Sequence, residues 1–280
     1  MGKLYIVATP LGNLADISQR AIETLKQVDK IAAEDTRHSK CLLHHYSIST
    51  PLIALHAHNE QEQSKMLLAE LQQGMSLALI SDAGTPLISD PGYNLVQLAH
   101  QHGILVSPIP GPCAAIAALS ALGLPCQQFS FLGFLPVKST QRQQTLEQYI
   151  TASQTLVFYE APHRILATVK DCMTVFGGER MAGIARELTK TFETIRVGKL
   201  SELLDWMTQD ENQQRGEFVL VIKGAEVHTE TSAEDEQITR ILKILLAELP
   251  LKQAVSLCTQ ITAQPKNTVY DLALKLQNKH

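Results

Sequence analysis

The stretch LISDAGTPLISDPG, residues 79–92, stops an apolar run in dense turn chemistry. Leu77-Ala78-Leu79-Ile80 has the unbroken hydrophobicity of a strand buried on both faces, as in a parallel sheet. Ser81-Asp82 ends the run. Two glycines, two prolines and a second acidic pair, Ser89-Asp90, follow within residues 83–92. Such a strand end is either a structural turn or a place where a ligand meets the backbone. We expect Asp82 to face a ligand and Ser89-Asp90 to act mainly as a helix cap, because Pro91-Gly92 opens the next amphipathic segment.

The same rhythm runs outward in both directions. LYIVAT (4–9) reads as a strand that ends at Pro10-Leu11-Gly12-Asn13. A helix is expected from Asp16 as N-cap, with Gln19 at the third helical position and Ile17, Ala21, Leu25 and Val28 on one face. KIAAED (30–35), LIAL (52–55), LALIS (77–81) and ILVSPI (104–109) make the further strands, with helices over 60–73 and 92–103, the latter closed by Gly103. Gly111-Pro112 opens an alanine-rich helix to about residue 122. Alternation of this kind specifies an α/β domain with a largely parallel sheet.

GLPCQQFSFLGFLP (123–136) breaks the rhythm and marks a domain boundary. A second α/β set follows, with strands at 155–160, 181–187, 192–198 and 217–224. Its helices are 162–176, with Pro162 at the first position, and 201–209. Residues 225–237 are polar and acidic without a period and read as a linker. The expected organisation is an N-terminal α/β domain (1–122), a second α/β domain (123–224), the linker (225–237) and a small helical domain (238–280). That last segment has six Lys or Arg against two Asp or Glu, in a chain of net charge −4. The net charge argues against a generally basic nucleic-acid binder but leaves RNA open, because a local basic patch such as this tail can do the electrostatic work; the plainer alternative is a solvated surface.

Five cysteines, none in a CxxC pair, and no leader-like segment lead us to expect reduced thiols in the cytoplasm. No apolar run approaches the roughly 18 residues of a membrane span. The histidines at 38, 44, 45, 56 and 58 form no metal-binding motif, so no metal is expected.

In an open α/β sheet, ligands bind beyond the carboxyl ends of the strands. Four of these ends are unusual here: Thr9–Asn13, Glu34–Arg37, Ser81–Pro86 and Pro110–Cys113. One such loop alone is simply a turn; four on one edge of one sheet point to a ligand. Neither G-x-G-x-x-G after the first strand nor a P-loop is present, so the common nucleotide fingerprints are excluded. The alanines of 114–118 leave a thin helix wall on which a flat group such as adenine could lie. Cys113 reads as a small packing residue. In the second domain, Tyr159–Arg164, Ala185–Lys190 and Arg215–Glu217 form another polar set, readable either as a structural ion-pair network or as a site.

These residues together carry a resemblance. ATPLGNLADIS (8–18), AAEDTRHSKCLL (32–43), LISDAGTPLISDPGYNLV (79–96), PIPGPCAAIAAL (108–119), FLGFLP (131–136), FYEAPHRI (158–165), ARELTKTFE (185–193), RGEFVLVI (215–222) and KNTVYDLAL (266–274) lie in order over nearly the whole chain. The chain resembles the ribosomal RNA small subunit methyltransferase I family of the tetrapyrrole-methylase superfamily. The resemblance implies two αβα domains with S-adenosyl-L-methionine in the cleft between them, and a homodimer. It implies methyl transfer to the ribose 2′-oxygen of a cytidine in the decoding region of small-subunit rRNA. Carried over by position, it implies cofactor contacts from Pro10, Leu11, Gly12, Asp82, Ala83, Gly84, Thr85, Ile88, Pro110, Ala114 and Ala115. The second domain would add Tyr159, Glu160, Ala161, Arg186, Leu188 and Gly216.

A protonated ribose hydroxyl is a poor nucleophile, so a nearby base would help. Asp35, Glu160 and Glu187 are the expected candidates, with His163 beside them. Arg37, His163, Arg164 and Lys190 are expected to hold RNA, with Lys138, Arg142 and Arg186 extending a basic stripe. Two rivals stay open: a tetrapyrrole methylase, and a non-catalytic ribosome-assembly factor that binds RNA without turnover.

Overall fold

The computed structural model describes residues 2–226 and 230–277. The first half is built from β1 (Lys3–Val7), α1 (Gln19–Gln27), β2 (Lys30–Ala33), α2 (Thr36–His45) and β3 (Leu52–Ala54). It continues through α3 (Glu60–Gln72), β4 (Leu77–Ile80), α4 (Tyr93–Gln101), β5 (Leu105–Ile109) and α5 (Ala114–Leu122). The five strands form one parallel sheet in the order β3-β2-β4-β1-β5. All their carboxyl ends therefore lie on one edge. β4 is buried at every position, with Ala78 and Ile80 in one core layer and Leu77 and Leu79 in the other.

The second half comprises β6 (Phe129–Phe134), α6 (Ser139–Glu147), β7 (Thr155–Glu160), α7 (Ile165–Phe176), β8 (Met181–Arg186), β9 (Thr194–Lys199), α8 (Leu200–Gln209) and β10 (Phe218–Ile222). Its sheet is mixed, ordered β6-β7-β10-β8-β9, with only β6 and β7 parallel. One face is covered by α6, α7 and α8. The other is covered by α5, which sets Ala115, Ala118, Leu119 and Leu122 on Val157, Ala185, Val219 and Val221. The alanines expected to form a thin wall for a ligand are thus mostly spent on close helix–sheet packing. A Cβ at Gly183 would stand 2.6 Å from the Leu122 side chain.

Residues 1–224 form one compact unit and residues 225–280 another. The second has its own small core, in which α9 (Glu230–Glu248), α10 (Leu251–Thr262) and α11 (Lys266–Gln277) bury Ile238, Leu242, Val255, Cys258, Val269 and Ala273. Among the described residues, no helix is long and apolar enough to cross a membrane.

Several local expectations are corrected. α1 starts after Ser18, whose hydroxyl accepts from the Ala21 N–H; Asp16 instead closes a short 3-10 turn begun by Asn13. Pro162 lies in a turn before α7, not in its first helical position. Helix α9 begins at Glu230, inside the stretch read as linker, whose residues 227–229 lie outside the described residues. Its glutamates and alanine are good helix formers, and lack of an apolar period hid them. β6 lies inside the expected boundary segment, and α2 and α6 carry too few apolar positions to show a period.

Candidate active site

The four unusual strand ends converge and are laced together. Thr9 and Gly84 exchange backbone hydrogen bonds of 2.8 and 3.0 Å, joining the loops after β1 and β4. The Thr85 hydroxyl donates to the Pro112 carbonyl at 2.9 Å, adding the loop after β5. Asp82 Oδ1 accepts from the Asp35 N–H at 3.0 Å, adding the loop after β2. Gly84 has φ +81°, and a Cβ there would sit 3.2 Å from Leu11. Without a side chain, this backbone takes the left-handed turn at no steric cost.

Between these loops and the second sheet lies a cavity of about 470 Å³. That volume lies within the range of small-molecule sites. Of the expected cofactor residues, Leu11, Asp82, Ala83, Gly84, Thr85, Ile88, Ala114, Tyr159, Glu160, Ala161 and Leu188 line it. Pro10, Gly12, Pro110, Ala115, Arg186 and Gly216 do not. Pro10 is buried behind the loop, and Gly12 lies under the Lys190 side chain. Ala115 is packed on the second sheet and donates its N–H to the Tyr159 hydroxyl at 3.2 Å. Burial, and then the nearby Cys113, push that hydroxyl up to about 12, so it stays protonated. Gly216 makes room for Glu187, whose Cγ would stand 2.4 Å from a Cβ at 216.

The three expected base candidates are all occupied. Asp35 caps α2 and is held by the Arg37 guanidinium and N–H, which pull its carboxyl down to about 2. The side chain of Glu160 is fully enclosed. It accepts from Thr168 Oγ1 at 2.6 Å and from the Ala161 N–H at 2.9 Å, and pairs with Arg164 at 3.1 Å. Glu187 sits at φ +50° and accepts from Lys190 Nζ and the Glu217 N–H, both at 2.9 Å. Burial raises its carboxyl, but those donors outweigh the burial and leave it below its ordinary value.

Other carboxylates line the cavity without an ion pair to a cation among the described residues, although Asp82 and Asp90 accept hydrogen bonds from the Asp35 N–H and Ser81. Glu34, Asp82 and Asp90 line one end of it. Burial, with repulsion from Glu34 and Asp82, outweighs a hydrogen bond from Ser81 and holds the Asp90 carboxyl up at about 6. Burial and then Asp82 also push Glu34 up. The expectation that Ser89-Asp90 caps a helix is corrected: Glu60 Oε1 caps α4, accepting from the Gly92 and Asn94 N–H groups at 2.9 Å each. Ser89 and Asp90 turn to the cavity because Leu87 and Ser89 both adopt left-handed backbone, at φ +71° and +73°.

The expected basic stripe is also corrected in part. Arg142 and Arg186 are buried, at 3% and 6% exposure. Arg142 pairs with Asp171, and Arg186 donates to the Phe192 carbonyl. Arg164 donates to the Leu135 and Pro136 carbonyls, and Lys190 bridges Glu187 and Glu217. Arg37 and His163 remain on the surface, though Arg37 is paired with Asp35. Buried guanidiniums carry their own partners, so none of these is a bare cation. Among the described residues, no group of three or more His, Cys, Asp or Glu side chains is arranged to hold a metal ion.

Residues 3–204 match the sequence profile of the tetrapyrrole (corrin/porphyrin) methylases. Residues 232–277 match that of the RsmI C-terminal HTH domain. The chain is 53% identical to ribosomal RNA small subunit methyltransferase I of Pseudomonas aeruginosa, over 99% of each chain. It is 52% identical to the protein of that name in Escherichia coli O157:H7, over 99% of this chain and 96% of the relative. The fold is shared with uroporphyrin-III C-methyltransferase from Thermus thermophilus complexed with S-adenyl homocysteine. The TM-score is 0.55 at 16% identity, covering 79% of this chain and 97% of that one.

Proposed function

Because the chain belongs to the ribosomal RNA small subunit methyltransferase I family, within the tetrapyrrole methylases, we propose that it methylates small-subunit rRNA with S-adenosylmethionine as donor. We assign the acceptor as the ribose 2′-oxygen of a cytidine in the decoding region. The observation that carries the reading is the cavity itself, with apolar walls from Leu11, Ile88, Ala114 and Leu188 and an acidic end from Glu34, Asp82 and Asp90. Those residues fit a nucleoside that carries positive charge, since three half-buried carboxylates near one another repel unless a cation compensates them.

S-adenosylmethionine supplies a methyl group already activated on a sulfonium. The chain's own work is alignment and proton handling. Glu34 and Asp82 would face the cofactor's positive charge. Asp90, raised to about 6 and so ionised at neutral pH yet more basic than an ordinary carboxylate, would accept the hydroxyl proton of the ribose. Asp35 and Glu187 are too acidic and too engaged for that role, and Glu160 is enclosed.

The same reading includes a homodimer. Ile195 and Val197 stand exposed on β9, an edge strand, with Phe192 exposed just before it. Light scattering on the eluting protein checks this.

The test uses radiolabelled cofactor and small ribosomal subunits from cells that lack the enzyme. Label is expected on the ribose of one cytidine. Cofactor binding by calorimetry without label in RNA would turn the assignment towards a tetrapyrrole acceptor. RNA binding without turnover on any acceptor would leave a non-catalytic assembly factor.

A further inference from the structure

Phe134 ends β6 on the face of the sheet where simple alternation would not place it. Phe131 packs on the cavity-side core with Val157 and Tyr159, whereas Leu132 packs on the opposite core under α6 and α7. In a regular strand, Phe134 would share Leu132's face and be covered. The pairing shifts instead. Phe131 is opposite Val157, Gly133 is opposite Phe158, and Phe134 is opposite Tyr159. One extra residue has been inserted, and Gly133 takes φ +63° to allow it. A bulge re-aims the side chain that follows it. Here it turns Phe134 to the cavity, with its ring 5.8 Å from that of Tyr159.

The ring lines the cavity yet is 55% exposed. Leaving a phenylalanine half in water forgoes much of its burial energy. The support beneath it is firm. Arg164 holds the carbonyls of Leu135 and Pro136, and Arg142 those of Pro136 and Val137. Both guanidiniums are in turn ion-paired, to Glu160 and Asp171. A Cβ at Gly133 would lie 3.3 Å from Ser89 Oγ, so the bulge abuts the loop that presents Asp90.

We propose that Phe134 is the stacking platform for the nucleobase of the nucleotide being methylated. This rests on the RNA reading above. A small cofactor is mostly enclosed by its site, whereas a rigid ring open at the rim suits one residue of a larger ligand. Splayed bases of single-stranded RNA stack on such rings. Stacking tolerates any base, so Phe134 positions the ribose beside Asp90 without choosing cytosine.

The experiment compares full-length Phe134→Ala, Phe134→Leu and Phe134→Trp with the unaltered chain. Cofactor Kd is measured by calorimetry, and kcat/KM with small ribosomal subunits. Losing one base stack lowers kcat/KM by about 5- to 150-fold. That loss is expected in the alanine and leucine variants, with cofactor Kd unchanged and activity retained by tryptophan. Tryptophan at 134 should also be quenched by a short single-stranded RNA, beyond the background from Trp206. Full activity with leucine would reduce the ring to an apolar filler and overturn the proposal. An equal loss of cofactor affinity would assign the ring to the cofactor's adenine, which also overturns it. If the unaltered chain labels no RNA, the functional reading itself fails and this inference with it; if it labels RNA and Phe134→Ala is unimpaired, only this inference fails.

Discussion

At Asp90 the burial of a single carboxyl sets both a stability and a rate. Its folded value of about 6 lies above the ordinary 3.8, so the folded chain holds this proton more tightly than the unfolded one. The resulting stabilisation is full below about pH 4 and is lost as pH rises through about 6. Asp90→Asn should therefore match the unaltered chain in Tm at pH 4 and exceed it at pH 8. In the proposed reaction, the unaltered chain should lose kcat as pH falls through about 6. The variant should be slow throughout, with no such limb. A variant with an intact acid limb would remove Asp90 from proton transfer. Gly216 makes a simpler case. Its φ of +92° and the Glu187 side chain behind it leave no place for a methyl group. Gly216→Ala should cost about 1–3 kcal/mol, read by urea denaturation. That Asp82 lines the cavity was legible because it follows a fully apolar strand. Asp90 was not, because a Ser-Asp pair before Pro-Gly also looks like a helix cap, and the cap comes from Glu60, thirty residues away in sequence.

Among the elements, β6 and α5 decide the shape of the site. The sequence FSFLGF has too much turn chemistry around it to read as a strand, and nothing local announces its bulge. α5 was legible as a helix, but not which sheet its alanines serve. The ion pair between Arg142 and Asp171 links α6 to α7 and secures the loop after β6. Both partners are nearly inaccessible, so removing one strands a buried charge. Arg142→Ala should lose about 3–5 kcal/mol in urea denaturation. A surface arginine holding RNA would instead cost affinity and leave stability unchanged.

Over the whole molecule, the chain divides into residues 1–224 and 225–280, each with its own core. A chain ending at residue 224 should therefore bind S-adenosylmethionine with unchanged Kd, because every cavity residue lies before that point. Its affinity for rRNA should fall and depend less on salt, since the six Lys and Arg of residues 238–280 would no longer displace counterions. An unchanged salt slope would show that the helical unit serves something other than RNA.

The parallel sheet and its four open strand ends were determined by sequence alone. Unbroken apolar runs followed by Gly and Pro admit few other structures, because a buried strand and a tight turn each depend on local residue type. Tertiary structure decided which carboxylates stay free. Ionisation and access depend on partners brought from distant segments: Arg37 neutralises Asp35 and Arg164 neutralises Glu160, while Asp90 has a hydrogen bond from Ser81 and lies near the carboxylates of Glu34 and Asp82. Tertiary structure likewise decided where Phe134 points, since a one-residue shift in strand pairing reverses a side chain's face and leaves no mark in composition or period.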